Sequence, residues 1–112
     1  MNNARLINAT LIATIAQIAM VVTGHFVPAV AGLFAIGGMG ISALAGWFAL
    51  KGQAASISAA AGGGALAGGI GAAIGIGVSV AMGDVPASLL VMGTGASTVT
   101  GLIGGLIGRR RG

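Results

Sequence analysis

The sequence predicts an all-α membrane protein whose Gly/Ala-rich helices form hydrophobic hairpins and assemble into a homo-oligomer or helical filament. Hydrophobic residues make up 56% of its 112 residues and charged residues only 5%, whereas soluble domains carry about 25% charged residues. Such a chain has too few polar side chains to cover the surface of a soluble monomer. No alternation of polar and apolar residues is visible, so membrane-spanning strands are not expected. Helices are therefore expected, because only helices and closed barrels satisfy all their backbone hydrogen bonds in lipid.

The few formal charges divide the chain into uncharged stretches of membrane length. Arg5, Lys51, Asp84 and the run 109–111 bound these stretches, and a spanning helix needs about 20 apolar residues. The stretch before Lys51 is long enough for two helices, and each later stretch holds one. The sequence therefore predicts one hydrophobic helical domain over 1–112, with helices over approximately 5–23, 28–50, 55–82 and 86–108. Merging of segments would leave two or three helices.

Turn residues explain these boundaries. Pro28 should break the first stretch near residues 24–28, because it lacks an amide donor and disfavours helix at the preceding residue. Asp84 is the expected N-cap of the last helix, with Pro86 in its first turn. The third segment is rich in glycine, which costs about 1 kcal/mol per residue against alanine in a water-exposed helix. Helix is still expected there, because unpaired backbone groups are costlier in lipid.

The first segment is expected to be a helix of the working protein and not a cleaved signal peptide. Its apolar run over 6–23 is longer than the usual signal-peptide core of about 7–15 residues. With four crossings, all basic residues fall on one side of the membrane, and His25 and Asp84 fall on the other. The bias of basic residues toward the cytoplasm then places both chain ends there.

Small residues recur every four positions on three of the segments. Residues four apart share one helix face, and small residues there let two backbones approach closely. Two such rows on the third segment indicate that it meets more than one neighbour. The rows serve either packing within one small bundle or contacts between copies, and the shortage of large side chains for an independent core favours assembly. The expected helix-packing residues are Gly64, Gly68, Gly71, Gly75, Gly93, Gly101 and Gly105.

The sequence offers little material for catalysis, and no catalytic, cofactor or metal residue is expected. It contains one acidic residue, one histidine and no cysteine, so neither a pair of carboxylates nor a cysteine metal site can form. A serine triad would have to unite His25 with Asp84 and either Ser79 or Ser88. The run 71–77 resembles the glycine-rich helix of rotary ring subunits of the ATP synthase, but their function requires a carboxylate in mid-membrane, and Asp84 lies at a turn.

The small-residue-rich segments and the basic connection Leu50-Lys51-Gly52-Gln53 resemble the pilins of conjugation-type (type IV secretion) systems, including archaeal DNA-import pilins. The resemblance covers residues 28–108 and rests on composition and hairpin layout. It implies a structural subunit that resides in the cell membrane before assembly. Secretion and assembly machinery would extract it and polymerise it with copies of itself into an extracellular tube that holds phospholipid and passes DNA.

The same resemblance implies that Lys51 faces the lumen of the tube and binds a phospholipid headgroup. Lys51 is equally well interpreted as an anchor at the cytoplasmic face of the membrane. Two other classes remain open for the whole chain. One is a small holin- or channel-like membrane oligomer, and the other is an accessory subunit of a larger membrane complex.

Overall fold

The computed structural model describes residues 3–110, and its regular elements are all helices. They are α1 (Asn3–Phe26), α2 (Pro28–Ala31), α3 (Phe34–Leu50), α4 (Ile57–Ala81) and α5 (Ala87–Gly108). The only β-type pairing in this part of the chain is an isolated bridge between Ala54 and Arg110. The all-α prediction is therefore confirmed.

Three of the helices, α1, α4 and α5, are long and apolar enough to cross a membrane, whereas α3 has 17 residues. The single helix expected over 28–50 is divided into α2 and α3. Leu33 lies between them with φ −103° and ψ 4°, outside the helical region. Its amide donates to Val30 O at 2.9 Å, which closes a turn over residues 30–33. Glycine content does not explain the position of the break, because Gly32 keeps helical angles of φ −65° and ψ −14°, and Gly37 and Gly38 lie inside α3.

The four long helices run alternately up and down as a bundle with extents of 45 × 21 × 19 Å. Its centre is formed by α3 and α4, and α1 and α5 flank them, each in contact with both. The contacts of α4 with α1, α3 and α5 confirm that this glycine-rich segment meets more than one neighbour. The bundle is long enough to pass through a hydrocarbon core of about 30 Å.

The breaks predicted near Pro28 and near Asp84 are both present, between α1 and α2 and between α4 and α5, but one predicted cap differs. Helix α1 ends at Phe26, and Val27 is extended before Pro28, as Pro28 predicts. Asp84 is not the N-cap of α5, because that helix begins at Ala87 with Pro86 at the capping position and no side-chain cap. The carboxylate of Asp84 instead pairs with an imidazole across the end of the bundle.

The interior is built from small side chains and backbone. Its buried hydrophobic residues are mostly alanines, and Leu50 is the largest fully buried side chain. The larger apolar side chains point outward on every long helix, for example Ile15, Ile36, Leu66 and Ile107. This inversion of the soluble pattern agrees with a bundle surrounded by lipid.

Candidate functional site: the basic end and the glycine interfaces

The basic residues of the described chain meet at one end of the bundle. Arg5 Nε donates a hydrogen bond to Phe48 O at 2.6 Å, and its guanidinium lies 4.6 Å from the centre of the Phe48 ring. Lys51 Nζ lies 4.8 Å from the centre of the Trp47 ring. Both cations therefore lie over aromatic rings near the end of α3. The electron-rich face of each ring attracts the positive charge.

Backbone hydrogen bonds hold this end together. The connection between α3 and α4 runs beside the end of α5, where Gly52 N donates to Gly108 O at 3.1 Å and Arg110 N donates to Gln53 O at 2.7 Å. Gly52 has φ +70°, in the left-handed region that glycine enters without steric cost. Arg109 Nη1 donates to Ala55 O at 3.1 Å. The chain folds so that cations from α1, the connection and the end of α5 share one surface.

The opposite end carries the acidic residue. His25 Nδ1 and Asp84 Oδ2 are 2.8 Å apart, and both side chains are partly exposed. Among residues 3–110, His25 and Asp84 thus lie at the opposite end of the bundle from the basic residues, and their position on opposite sides of a membrane stays a prediction. Ser79 Oγ has no hydrogen-bond partner, so it does not complete a triad with His25.

An apolar groove begins beside the two cation–ring contacts. It lies between α1 and α3, has a volume of about 360 Å³, and is lined by apolar side chains that include Trp47 and Phe48. Among the described residues, none offers a carboxylate at this end, since the sole acidic residue is Asp84. Trp47 and Phe48 therefore line the apolar groove and also contact the Lys51 and Arg5 cations, which are not themselves lining residues. Lys51 Nζ makes no hydrogen bond within the described chain.

Four of the glycines predicted for helix packing lie at the contact between α4 and α5, namely Gly64, Gly68, Gly101 and Gly105. A Cβ atom added to Gly68 would lie 2.9 Å from both Gly101 Cα and Ser97 O. A Cβ added to Gly105 would lie 3.0 Å from Gly64 Cα. Real Cβ atoms essentially never show contacts of 2.9 Å and seldom show contacts of 3.0 Å, so a side chain at either position would force the helices apart.

The remaining predicted glycines meet side chains. A Cβ on Gly71 would lie 3.1 Å from Ala13 Cβ, and one on Gly75 would lie 2.6 Å from Gln17 Cβ, so this row faces α1. Gly93 faces the flexible end of Ile76, at 2.5 Å from Cδ1. The described chain thus uses all seven glycines inside a single bundle.

Two features of the interior were not predicted from the sequence. Gly104 and Gly108 of α5 lie against backbone atoms of Ala43 and Trp47 on α3, and their spacing of four residues was a signal for a second row on α5. Gln17 is buried, and its Nε2 donates to Gly38 O at 3.0 Å and to Ser42 Oγ at 3.3 Å. A lone amide side chain within an apolar segment is the corresponding signal, because lipid disfavours unpaired polar groups.

No protein-family model, curated protein or solved structure matches this chain.

Proposed function

We propose that this protein is a structural membrane subunit that binds anionic phospholipid at its basic end and polymerises into a lipid-containing pilus tube for DNA transfer or import. The single observation that supports it best is the apolar groove between α1 and α3, with the Lys51 and Arg5 cations on the rings at its mouth. In this proposal the chain has no enzymatic activity, and its partners are copies of itself, membrane lipid, assembly machinery and the transported DNA.

In this proposal the apolar groove receives an acyl chain, and the cations attract the phosphate of the same lipid. A volume of about 360 Å³ falls within the range of about 300–1,000 Å³ that is typical of ligand sites. Each basic residue near an anionic lipid surface contributes about 1 kcal/mol of attraction. Lys51 is the residue proposed to hold the headgroup, because its ammonium rests on the Trp47 ring without a hydrogen-bond acceptor among the described residues.

Polymerisation would use the outward faces of the bundle. The glycine rows are already buried within one chain, so copies that keep this fold cannot share them. The exposed apolar residues, such as Leu44 on α3 and Ile103 on α5, would contact other copies or lipid instead. An extracellular subunit requires this cover, because contiguous apolar patches are not tolerated in water.

Bound lipid would also lower the affinity of the lumen for DNA. Each basic residue that contacts a DNA phosphate adds salt-dependent affinity. A phospholipid headgroup on Lys51 neutralises that contact, so the strand would pass without being retained.

The charge of Lys51 provides the test. Lys51→Glu should reduce anionic phospholipid per subunit in purified protein and sheared fibres, and it should reduce DNA transfer while helix content is unchanged. Lys51→Arg keeps the charge and should keep both. Equal lipid content and equal transfer in the Lys51→Glu protein would contradict the lumen assignment.

Electron microscopy of sheared cell-surface material separates the proposal from its alternatives. Fibres that contain this chain would support the pilin. Growth arrest and membrane leakage upon expression, without fibres, would support a holin- or channel-like oligomer. Purification at fixed stoichiometry with a larger complex would support an accessory subunit.

A further inference from the structure

Helix α1 carries an asparagine that points away from the bundle. Asn8 and Gln17 are nine residues apart, so at about 100° per residue they lie on opposite faces of the helix. Gln17 faces the interior, where it is 2% exposed and donates to Gly38 O and Ser42 Oγ. Asn8 is exposed, and its side-chain amide makes no hydrogen bond with any described residue.

Asn8 also lies deeper in the bundle than the comparable polar groups. The other exposed amide and hydroxyl side chains of the described helices that lack a hydrogen bond lie in the first turn of a helix, at Asn3, Ser58 and Ser88. Helix α1 has 24 residues and is about 36 Å long, so a hydrocarbon core of about 30 Å centred on it begins about 3 Å inside the helix. Asn8 lies about 7 Å inside. An amide that faces lipid tails at this depth without a partner is costly.

The face around Asn8 has the spacing of a helix-pairing seam. Its residues recur at intervals of three and four, as the contact positions of a two-stranded coiled coil do. They are Asn8, Leu11, Ile15, Ile18 and Val22, and we call them the α1 seam. Four of the five are exposed and Ile18 is half-buried, so the described bundle leaves this seam largely uncovered. A single asparagine among apolar contact positions specifies the register and the number of paired helices.

We propose that the α1 seam binds the same seam of a second copy of the chain, in a parallel pair in which the two Asn8 amides hydrogen-bond to each other. Copies inserted in the same direction hold Asn8 at the same depth, so a two-fold axis along the membrane normal brings the amides together. Each amide donates through Nδ2 and accepts through Oδ1, so the pair satisfies both groups, whereas a lipid tail satisfies neither. The two-fold axis closes the pair, which does not extend into a filament by itself, and the inference therefore goes beyond the proposed pilus function.

Disulfide formation between copies tests the seam, because the chain has no native cysteine. Equivalent residues meet at a two-fold contact. The single variants Leu11→Cys and Ile15→Cys should therefore form covalent dimers upon oxidation in the cell membranes in which the protein is made. Val99→Cys on α5 is the matched control, because Val99 and Leu11 are both 55% exposed and lie at similar distances from the basic end of the bundle. It should stay monomeric.

Energy transfer between labelled copies measures the contribution of the amide. Donor and acceptor dyes on Ala54→Cys, at an exposed position of the connection between α3 and α4, would follow association as the protein is diluted with detergent. Asn8→Ala should weaken association about threefold to twentyfold, the range given by hydrogen bonds between membrane helices. Asn8→Gln keeps a donor and an acceptor and should retain most of the association. Asn3→Ala, which removes an exposed amide at the helix end, should have no effect.

Two results would overturn the proposal. Equal cross-linking of Leu11→Cys and Val99→Cys would show that the seam is not the contact. Equal association of the native and Asn8→Ala proteins, at unchanged helix content, would show that headgroups or water satisfy the amide. Fibres that form without cross-links at residues 11 and 15 would contradict this pair but not the proposed pilus, whereas cross-linked α1 pairs without fibres would support the pair and contradict the pilus.

Discussion

Gly68→Ala is the most direct test of the close contact between α4 and its neighbours. The added methyl group would lie 2.9 Å from Gly101 Cα and Ser97 O on α5, and 3.0 Å from Ser42 O on α3. These are backbone atoms of two different helices, so no side chain can rotate away. The methyl group can be accepted only if both helices move.

The size of that movement sets the expected cost. Ordinary contact of a Cβ atom begins near 3.4 Å, so α5 would have to retreat by about 0.5 Å and α3 by about 0.4 Å. Gaps of this size forfeit about a quarter of the dispersion energy of the atom pairs involved, and overpacking of a dense core costs about 1–3 kcal/mol. Alanine would offset part of this through its better helix propensity, worth up to about 1 kcal/mol. We expect a net loss of about 1–2 kcal/mol in the free energy of unfolding.

Gly62→Ala is the matched control on the same helix. A Cβ atom there has no atom within 4 Å, so its free energy of unfolding should stay the same or increase slightly. Reversible unfolding in detergent micelles, followed by helical circular dichroism, would measure both variants. Equal stability of the two proteins would refute the close approach of α4 to α3 and α5.

Three further predictions concern a buried amide, a helix cap and the membrane topology. Gln17→Leu should lower the free energy of unfolding by about 0.6–1.7 kcal/mol in the same assay, through loss of the hydrogen bonds to Gly38 and Ser42; an unchanged value would show that those bonds add nothing. Ser56→Ala should cost about 1 kcal/mol, because Ser56 Oγ accepts from Ala59 N at 3.1 Å, whereas the exposed Ser58→Ala should have no effect, and equal losses would exclude the cap. Single cysteines at exposed Ala4 and Ala54 should react with a membrane-impermeant thiol reagent from one side, and one at exposed Ala87 from the other; labelling of all three from the same side would contradict the alternating crossings.

The sequence predicted the helices and the separation of charge because both depend on properties that lie along the chain. Long uncharged stretches require helices in lipid, and four crossings alone place Lys51 and Arg109 together. The same alternation places His25 and Asp84 together at the opposite end, and none of this required knowledge of packing. The 2.8 Å contact between their side chains was not predicted.

The details of turns and caps depended on geometry that composition does not fix. Asp84 has a side chain suited to an N-cap, but the extended backbone of Pro86 occupies that position, and the carboxylate contacts His25. The turn at Gly32 and Leu33 likewise reflects a local break that a uniformly apolar sequence conceals, since hydrophobic periodicity is absent there.

The orientation of the small-residue rows was the hardest feature to predict. A row of glycines specifies a surface that another backbone can approach, but not whether that backbone belongs to the same chain. The sequence favoured contacts between copies, whereas Gly64, Gly68, Gly101 and Gly105 meet within one bundle. Self-assembly remains a proposal, in which copies of the chain would contact each other through other surfaces.

The glycine rows pack within one chain because of the way in which the core is filled. The shortage of large side chains suggested that one chain could not build an independent interior, yet an interior needs only high packing density. The bundle achieves contact by bringing backbones together, so that Gly101 approaches both Gly46 and Gly64. The large apolar side chains are then left for the perimeter, where Ile15 and Ile107 are exposed. Lipid or another copy of the chain must cover that perimeter, and a search for the assembly interface should therefore begin with outward-facing isoleucines and leucines, not with the glycines.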